Sequence, residues 1–135
     1  MIGLDTNVLI RFFTRDDPNQ FKLAYKVLQS FTPQQPGWIS LANLMEIDWV
    51  LRSRYGHDRA GVARLFDGLL TSSTVVVEQP ATVAHSLFLY RTSKADFGEC
   101  LIAASARAAG CSKVFTFDKT AARDLGMELI GAATS

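Results

Sequence analysis

Five acidic side chains stand where a fold could bring them together to bind a cation and hydrolyse a phosphodiester. Each lies at the end of a predicted strand or on a predicted helix face, and they are Asp5, Glu46, Asp96, Glu99 and Asp118. Carboxylates that converge repel one another, by roughly 4 kcal/mol for a pair about 4 Å apart at an effective dielectric near 20. A proton or a hard cation between them removes that cost. The acids therefore predict a Mg²⁺ or Mn²⁺ site with hydrolytic chemistry.

Asp5 and Asp118 follow apolar segments that predict strands. In an open parallel sheet, ligands bind beyond the carboxyl ends of the strands, so both positions favour a site. A helix cap or an Asx-turn is the alternative at such a corner. Glu46 lies on a predicted helix whose neighbouring side chains are largely apolar, so we expect it to be buried and to need a partner.

Asp96 and Glu99 are three residues apart and project from one face of a predicted helix, in its first turn. There the helix dipole favours negative charge, and a capping box explains the same pair, so both roles can hold together. Beside the acids at the strand ends stand polar residues that could orient a carboxylate or a metal-bound water, or serve only turn chemistry: Thr6, Asn7 and Thr116.

Strands and helices alternate along the chain, which predicts an α/β fold with a mainly parallel sheet. We expect strands at about 1–4, 38–40, 75–77, 114–117 and 127–130. We expect helices at about 8–13, 18–29, 41–54, 58–70, 80–91, 94–109 and 119–125. The 135 residues fit one domain, residues 1–135, with 131–135 expected to fray.

Nearly half of the residues are hydrophobic (48%), which argues against disorder. No apolar run approaches the roughly 18 residues of a membrane span, and the first ten residues do not resemble a signal peptide. We therefore expect no membrane association and a cytoplasmic location. Cys100 and Cys111 lie in apolar surroundings and predict buried free thiols, without zinc-binding spacing.

The net charge of +1 is uninformative, but basic residues cluster locally. Five of them could contact an RNA backbone, or could simply solvate helix faces: Arg11, Arg15, Arg52, Arg54 and Arg59.

Four motifs occur in order: LDTNVLIR from Leu4, the mid-chain Glu46, ADFGECLIAASA from Ala95, and TFDK from Thr116. Together they resemble the PIN domain, and most closely the VapC-type toxins of toxin–antitoxin pairs. The resemblance covers the chain from Ile2 to about Ile130. Any one motif is weak, whereas all four in order within one short chain are a strong signal.

The resemblance implies a three-layer α/β/α sandwich with a parallel sheet in the order 3-2-1-4-5. It implies an endoribonuclease that uses one or two Mg²⁺ or Mn²⁺ ions, forms a homodimer and is silenced by a small VapB-like antitoxin. By position, Asp5, Glu46 and Asp118 match the family's acids. The remaining acid falls in the segment from Asp96 to Glu99, where many relatives have Asp in place of Glu99, so either residue could be the main ligand.

Two other classes of function stay open. One is a PIN-like module that binds RNA or a protein without cutting, and the other is a nuclease directed at DNA. A phosphotransfer protein is a weaker alternative, because it explains neither Glu46 nor the Asp96–Glu99 pair. Apolar residues on two predicted helices could form an antitoxin groove or belong to the core: Phe21, Tyr25, Trp49 and Tyr55.

Overall fold

The computed structural model describes residues 1–131 and has a mixed α/β fold of short parallel strands and helices. Its strands are β1 (Ile2–Gly3), β2 (Gly37–Ile39), β3 (Val75–Val77), β4 (Phe115–Thr116) and β5 (Glu128–Leu129). Its helices are α1 (Thr6–Thr14), α2 (Pro18–Gln29), α3 (Leu41–Arg54), α4 (Arg59–Thr71), α5 (Pro80–Thr92), α6 (Phe97–Ala108) and α7 (Lys119–Leu125). The chain divides into two compact units, one ending at Pro80 and the other beginning at Ala81.

The first unit contains a parallel three-stranded sheet in the order 3-2-1, as expected for that part of the sheet. In its register, Trp38 of the middle strand lies beside Gly3 on one side and Val76 on the other. Gly37 begins the middle strand against the buried ring of Phe31. The absence of a side chain at this position lets the ring pack directly on the strand.

Helices α1, α3 and α4 supply most of the apolar core of the first unit. Helix α1 packs on α2 and α3, and α4 packs on α3 and β3. The fully or almost fully buried side chains of this unit include six from these helices and one from β2: Leu9, Leu44, Ile47, Leu51, Val62 and Phe66, with Ile39. Local capping explains where these helices begin, since Asp17 precedes Pro18 and caps α2, and Asp58 caps α4.

The second unit pairs β4 with β5 in parallel, with Phe115 beside Glu128 and Thr116 beside Leu129. Helix α7 connects the two strands and packs against both of them and against α6. It ends at Gly126, whose φ of 71° is a left-handed conformation that glycine adopts without strain. Buried apolar side chains of α5 and α6 include Tyr90, whose ring meets that of Phe97 edge-on at 5.7 Å.

The element boundaries differ from expectation mainly where an acid caps a helix. Helix α1 begins at Thr6 rather than at residue 8 because Asp5 is its N-cap, and α6 begins at Phe97 rather than at residue 94 because Asp96 is its N-cap. The expected parallel sheet is present as two separate pairings, 3-2-1 in the first unit and β4 with β5 in the second.

The two cysteines and the membrane-spanning potential of the helices can also be compared with expectation. Cys100 is buried as expected, but Cys111 is exposed, because it follows the end of α6 in the segment before β4; neither thiol is in a disulfide. Within residues 1–131, no helix has the length and apolar character to cross a membrane. Residues 132–135, most of the segment expected to fray, lie outside the described residues.

Candidate metal-binding acids

Three of the five candidate acids are helix N-caps. Asp5, Asp96 and Asp118 each have an extended backbone, and each accepts a hydrogen bond at Oδ1 from a backbone N–H of the helix that follows, at 2.8 Å. Their Oδ2 atoms have no hydrogen-bond partner within the described chain. The alternatives that the sequence left open, cap or ligand, are therefore compatible, because the cap occupies one oxygen of each carboxylate and leaves the other available.

Glu99 carries the most unusual atom of the set. Its Oε2 is buried and has no hydrogen-bond partner among residues 1–131. Burial raises the pKa of the Glu99 carboxyl above its ordinary value, and the carboxylates of Asp96 and Asp118 raise that pKa further. Asp96 and Asp118 thus lie close enough to Glu99 to act on it electrostatically.

This arrangement fits a hard cation by the chemistry of its donors. A buried carboxylate oxygen without a partner is costly, and either a proton or a cation supplies the missing interaction. The residues that would hold Mg²⁺ or Mn²⁺ in this unit are Asp96, Glu99 and Asp118. Within residues 1–131, no three His, Cys, Asp or Glu side chains are grouped tightly enough to chelate one ion as they stand.

Glu46 is exposed, so the expectation that it would be buried is wrong. The buried face of α3 is set by Leu44, Ile47 and Leu51, and helical spacing places Asp48 on that face instead. Asp48 is only 4% exposed. Glu46 projects from another face, and its role as a ligand or base remains a prediction.

The buried carboxylate of α3 has a well-defined partner. Both oxygens of Asp48 accept hydrogen bonds from Arg52, at 2.9 Å from Nε and 2.9 Å from Nη2. Asp48 and Arg52 are at positions i and i+4 of α3. They form a partly buried, bidentate ion pair, which is the stronger geometry for arginine and a carboxylate.

The residue after Asp5 is fixed by a contact that the sequence did not disclose. Thr6 is buried, and its Oγ1 accepts a hydrogen bond from Asn43 Nδ2 at 3.1 Å. Asn43 is also buried and forms a capping box with Ser40 at the start of α3. Asn43 thus ties the start of α1 to the start of α3 and holds the backbone beside Asp5. No local sequence pattern in α3 indicates that Thr6 of α1 is the partner of Asn43.

Asp118 is held in a similar way by residues of its own unit. Thr116 Oγ1 accepts a hydrogen bond from the backbone N–H of Asp118 at 3.0 Å, so Thr116 orders this turn, and its role toward a carboxylate or a metal-bound water stays a prediction. Asn7, the third polar residue singled out, is exposed.

Asp124, which the sequence did not single out, accepts a hydrogen bond from the backbone N–H of Lys94 at 2.8 Å.

The family model described as the PIN domain matches residues 2–124, which includes all five acids. The chain belongs to the PIN-domain family. PIN domains are in general metal-dependent nucleases and typically use Mg²⁺ or Mn²⁺, so membership supports a hydrolase at that level. No curated protein matches this chain.

The arginines of this PIN domain that were candidates for RNA contact are engaged within the chain. Arg11 donates from Nε to Gln20 Oε1 at 2.6 Å, from Nη1 to both oxygens of Asp16 at 3.2 Å, and from Nη1 to the Tyr55 hydroxyl at 3.2 Å. Tyr55 in turn donates to Asp16 at 2.8 Å. This network joins α1, α2 and the end of α3, so a phosphate would compete with it for Arg11.

The four other candidate arginines also have partners in the chain. The guanidinium carbon of Arg15 lies 4.6 Å from the centre of the Phe21 ring, and that of Arg54 lies 5.6 Å from the centre of the Trp49 ring. Arg52 forms an ion pair with Asp48. Arg59 also has an interaction within the chain. Their role in RNA binding stays a prediction, but none of them projects into solvent without a contact.

The apolar residues expected to form a groove divide into exposed and packed members. Tyr25 is 45% exposed and Trp49 is 57% exposed. Phe21 and Tyr55 are half-buried, and the Phe21 ring stacks on Phe12 at 5.9 Å. A separate depression of about 270 Å³ lies between α1 and α2, lined by Asn7, Val8, Arg11, Gln20, Leu23, Ala24 and Val27. The PIN domain therefore presents apolar surface on α2 and α3.

Proposed function

We propose that this PIN domain is a Mg²⁺- or Mn²⁺-dependent endoribonuclease and the toxin of a toxin–antitoxin pair. The observation that carries the nuclease part is the buried, unpartnered Oε2 of Glu99 beside Asp96 and Asp118. The four sequence motifs support the toxin part by their resemblance to VapC-type toxins.

The cation would lower the pKa of a bound water and neutralise charge on the phosphate oxygens. The chain's own residues would contribute position and charge. Asp96 and Asp118 keep one oxygen each on a helix cap, which fixes the carboxylate, and the second oxygen of each would be a ligand to the ion. The raised pKa of Glu99 means that this carboxyl holds a proton more readily than an ordinary glutamate, so a cation bound there would compete with that proton.

Asp5 is proposed as a further cation ligand from its match to the family's acids, and the start of α1 beside it is held through Thr6 and Asn43. Glu46 would act as a ligand through water or as a base. The proposed partners are the RNA substrate, a small VapB-like antitoxin and a second copy of the chain. The exposed apolar surface of α2 and α3, with Leu23 64% exposed, supports a protein partner.

The test is expression of the wild-type protein and of Asp5→Asn in matched cells, followed by growth curves and sequencing of new RNA 5′ ends. Asp17→Asn is the matched control, because Asp17 is also a helix N-cap and the substitution is the same. We expect arrest and discrete cuts with the wild type and Asp17→Asn only. Asparagine caps helices as well as aspartate does, so all three proteins should be equally stable.

The same proteins, purified, separate the proposal from its rivals. The wild type should cleave single-stranded RNA with Mn²⁺, lose activity in EDTA and leave matched DNA intact. Preferential cleavage of DNA would support the DNA-directed alternative. A folded wild type that binds RNA or protein but cleaves no nucleic acid with Mn²⁺ would support a non-cleaving module instead.

A further inference from the structure

Phe117 is the most exposed large apolar side chain among residues 1–131, at 80% of its surface. It lies directly before Asp118, one of the candidate cation ligands. Keeping an aromatic ring in water is unfavourable compared with burying it. The exposed ring of Phe117, directly before a candidate cation ligand, is available to a binding partner that would cover it.

The backbone around Phe117 is fixed by hydrogen bonds on both sides. Thr116 accepts from the backbone N–H of Ile130 at 2.8 Å through its carbonyl, and from the N–H of Asp118 at 3.0 Å through its hydroxyl. Asp118 then caps α7 through the N–H of Ala121. The ring is presented by an ordered turn, so it can serve as a preformed platform.

We propose that Phe117 is a stacking platform for an unpaired RNA base next to the phosphate held at the acids of the second unit. The inference rests on the proposed nuclease function and extends it to a residue that binds the substrate. Proteins recognise single-stranded RNA by stacking bases on aromatic rings, and every base offers a face for this contact. A phosphate near the Asp118 carboxylate leaves a flanking base within reach of the preceding side chain.

Two nearby residues favour nucleic acid over a second protein copy as the occupant. Phe115 is 59% exposed, and the Lys113 ammonium lies 5.5 Å from the centre of its ring. Lys113 also pairs with Glu128 at 3.5 Å, in an exposed bridge that salt and phosphate can displace. Two exposed aromatic rings, one of them with an amino group beside it, offer both stacking and charge to a single strand.

The test measures binding of a fluorescent single-stranded RNA of mixed sequence, and of the same RNA with abasic nucleotides, by anisotropy. Asp5→Asn serves as the parent protein so that the RNA stays intact. Phe117→Ala should weaken binding of the normal RNA by about five- to hundredfold, the effect of losing one base–aromatic stack. Both proteins should bind the abasic RNA equally, because that RNA has no base to stack.

Two further substitutions distinguish stacking from general hydrophobic contact. Phe117→Trp should bind within about threefold of the parent, and its added tryptophan fluorescence should be quenched by RNA. Phe117→Leu keeps an apolar side chain without a ring, so it should bind as weakly as Phe117→Ala. Leucine that restores full affinity would overturn the proposal.

The remaining outcomes would each overturn the stacking role of Phe117 or the proposed function. Equal binding of both RNAs by the parent and by Phe117→Ala overturns the stacking role. If Phe117→Ala leaves RNA affinity unchanged and converts a dimer to a monomer in light scattering, a second copy covers the ring and the proposal is wrong. If the wild type cleaves RNA but these variants bind alike, only the stacking inference fails. If the wild type neither binds nor cleaves RNA, the proposed function fails and stacking fails with it.

Discussion

The backbone N–H of Lys94 donates to Asp124 Oδ2 at 2.8 Å, so a side chain of α7 holds the segment that leads into Asp96. Asp124 lies in the last turn of its helix, where the dipole disfavours a negative charge. Arg123 Nε compensates by donating to Asp124 Oδ1 at 2.8 Å. The contact ties the N-cap region of α6 to the helix that Asp118 caps.

Asp124→Ala should therefore loosen the start of α6. We expect faster amide hydrogen exchange in residues 94–99 and roughly tenfold weaker Mn²⁺ binding by calorimetry, the low end of effects for groups that support metal ligands. Arg123→Gln is the control, because it removes the neighbouring charge and keeps the Lys94 contact. Equal exchange in Asp124→Ala and Arg123→Gln would show that the contact does not order this segment.

Glu99→Gln should raise the melting temperature of the metal-free protein at neutral pH. The pKa of Glu99 is raised in the folded state by burial, and then by Asp96 and Asp118. The folded protein therefore holds this proton more tightly than the unfolded chain. Stability from the protonated form is complete below the ordinary glutamate pKa and is lost as pH rises through the raised value.

The measurement is the difference in melting temperature between Glu99→Gln and wild type across pH 4–8. The advantage of Glu99→Gln should grow with pH in metal-free buffer. With saturating Mn²⁺ at neutral pH, the wild type should gain stability and Glu99→Gln should gain much less. A difference that stays constant with pH would contradict the raised pKa.

Gly37→Ala should destabilise the first unit, because an added Cβ would lie 2.5 Å from Cε2 of the buried Phe31 ring. Overpacking of this kind costs about 1–3 kcal/mol, read from urea unfolding. Gly3→Ala is the matched control, since Gly3 is in the neighbouring strand and its Cβ would meet nothing within 4 Å. Equal unfolding midpoints for the two variants would mean that the Phe31 ring moves aside without cost.

Arg52→Ala should destabilise the protein by roughly 2–3 kcal/mol, because it leaves the buried Asp48 carboxylate without its bidentate partner. We place the effect below that of a fully buried pair because the Arg52 side chain is 30% exposed. Arg54→Ala, in the same helix, removes an arginine that lies over the exposed Trp49 ring and should change stability by less than about 0.5 kcal/mol. Chemical unfolding of both variants at several salt concentrations checks the difference.

Most elements were legible from the sequence because their start and stop signals are local. Asp17 before Pro18, Asp58, and Gly126 after α7 mark helix ends through interactions within a few residues. The three capping acids were found for the same reason. The sequence also indicated that a cap and a ligand role could coexist at Asp96.

The sequence predictions were wrong or incomplete where contacts between distant residues determine which side chains are buried or paired. Helix α3 has apolar residues around much of its circumference, including the exposed Met45 and Trp49, so periodicity did not identify the buried face. Glu46 was placed on the wrong side for that reason, and the burial of Asp48 was missed. The partners of Arg11 lie on α2 and at the end of α3, so no local pattern could disclose them.

The capping role of Asp5, Asp96 and Asp118, combined with their proposed role as cation ligands, has a genetic consequence. Asparagine preserves the cap and removes the charge, and the Asp and Asn codons differ by one base. A population selected to lose the proposed activity should therefore collect Asn at Asp5, Asp96 or Asp118 as folded, inert proteins. Replacements that cannot cap, such as valine, would instead lose stability along with activity. Inactive variants of the first kind could still bind the protein's partners and compete with active copies.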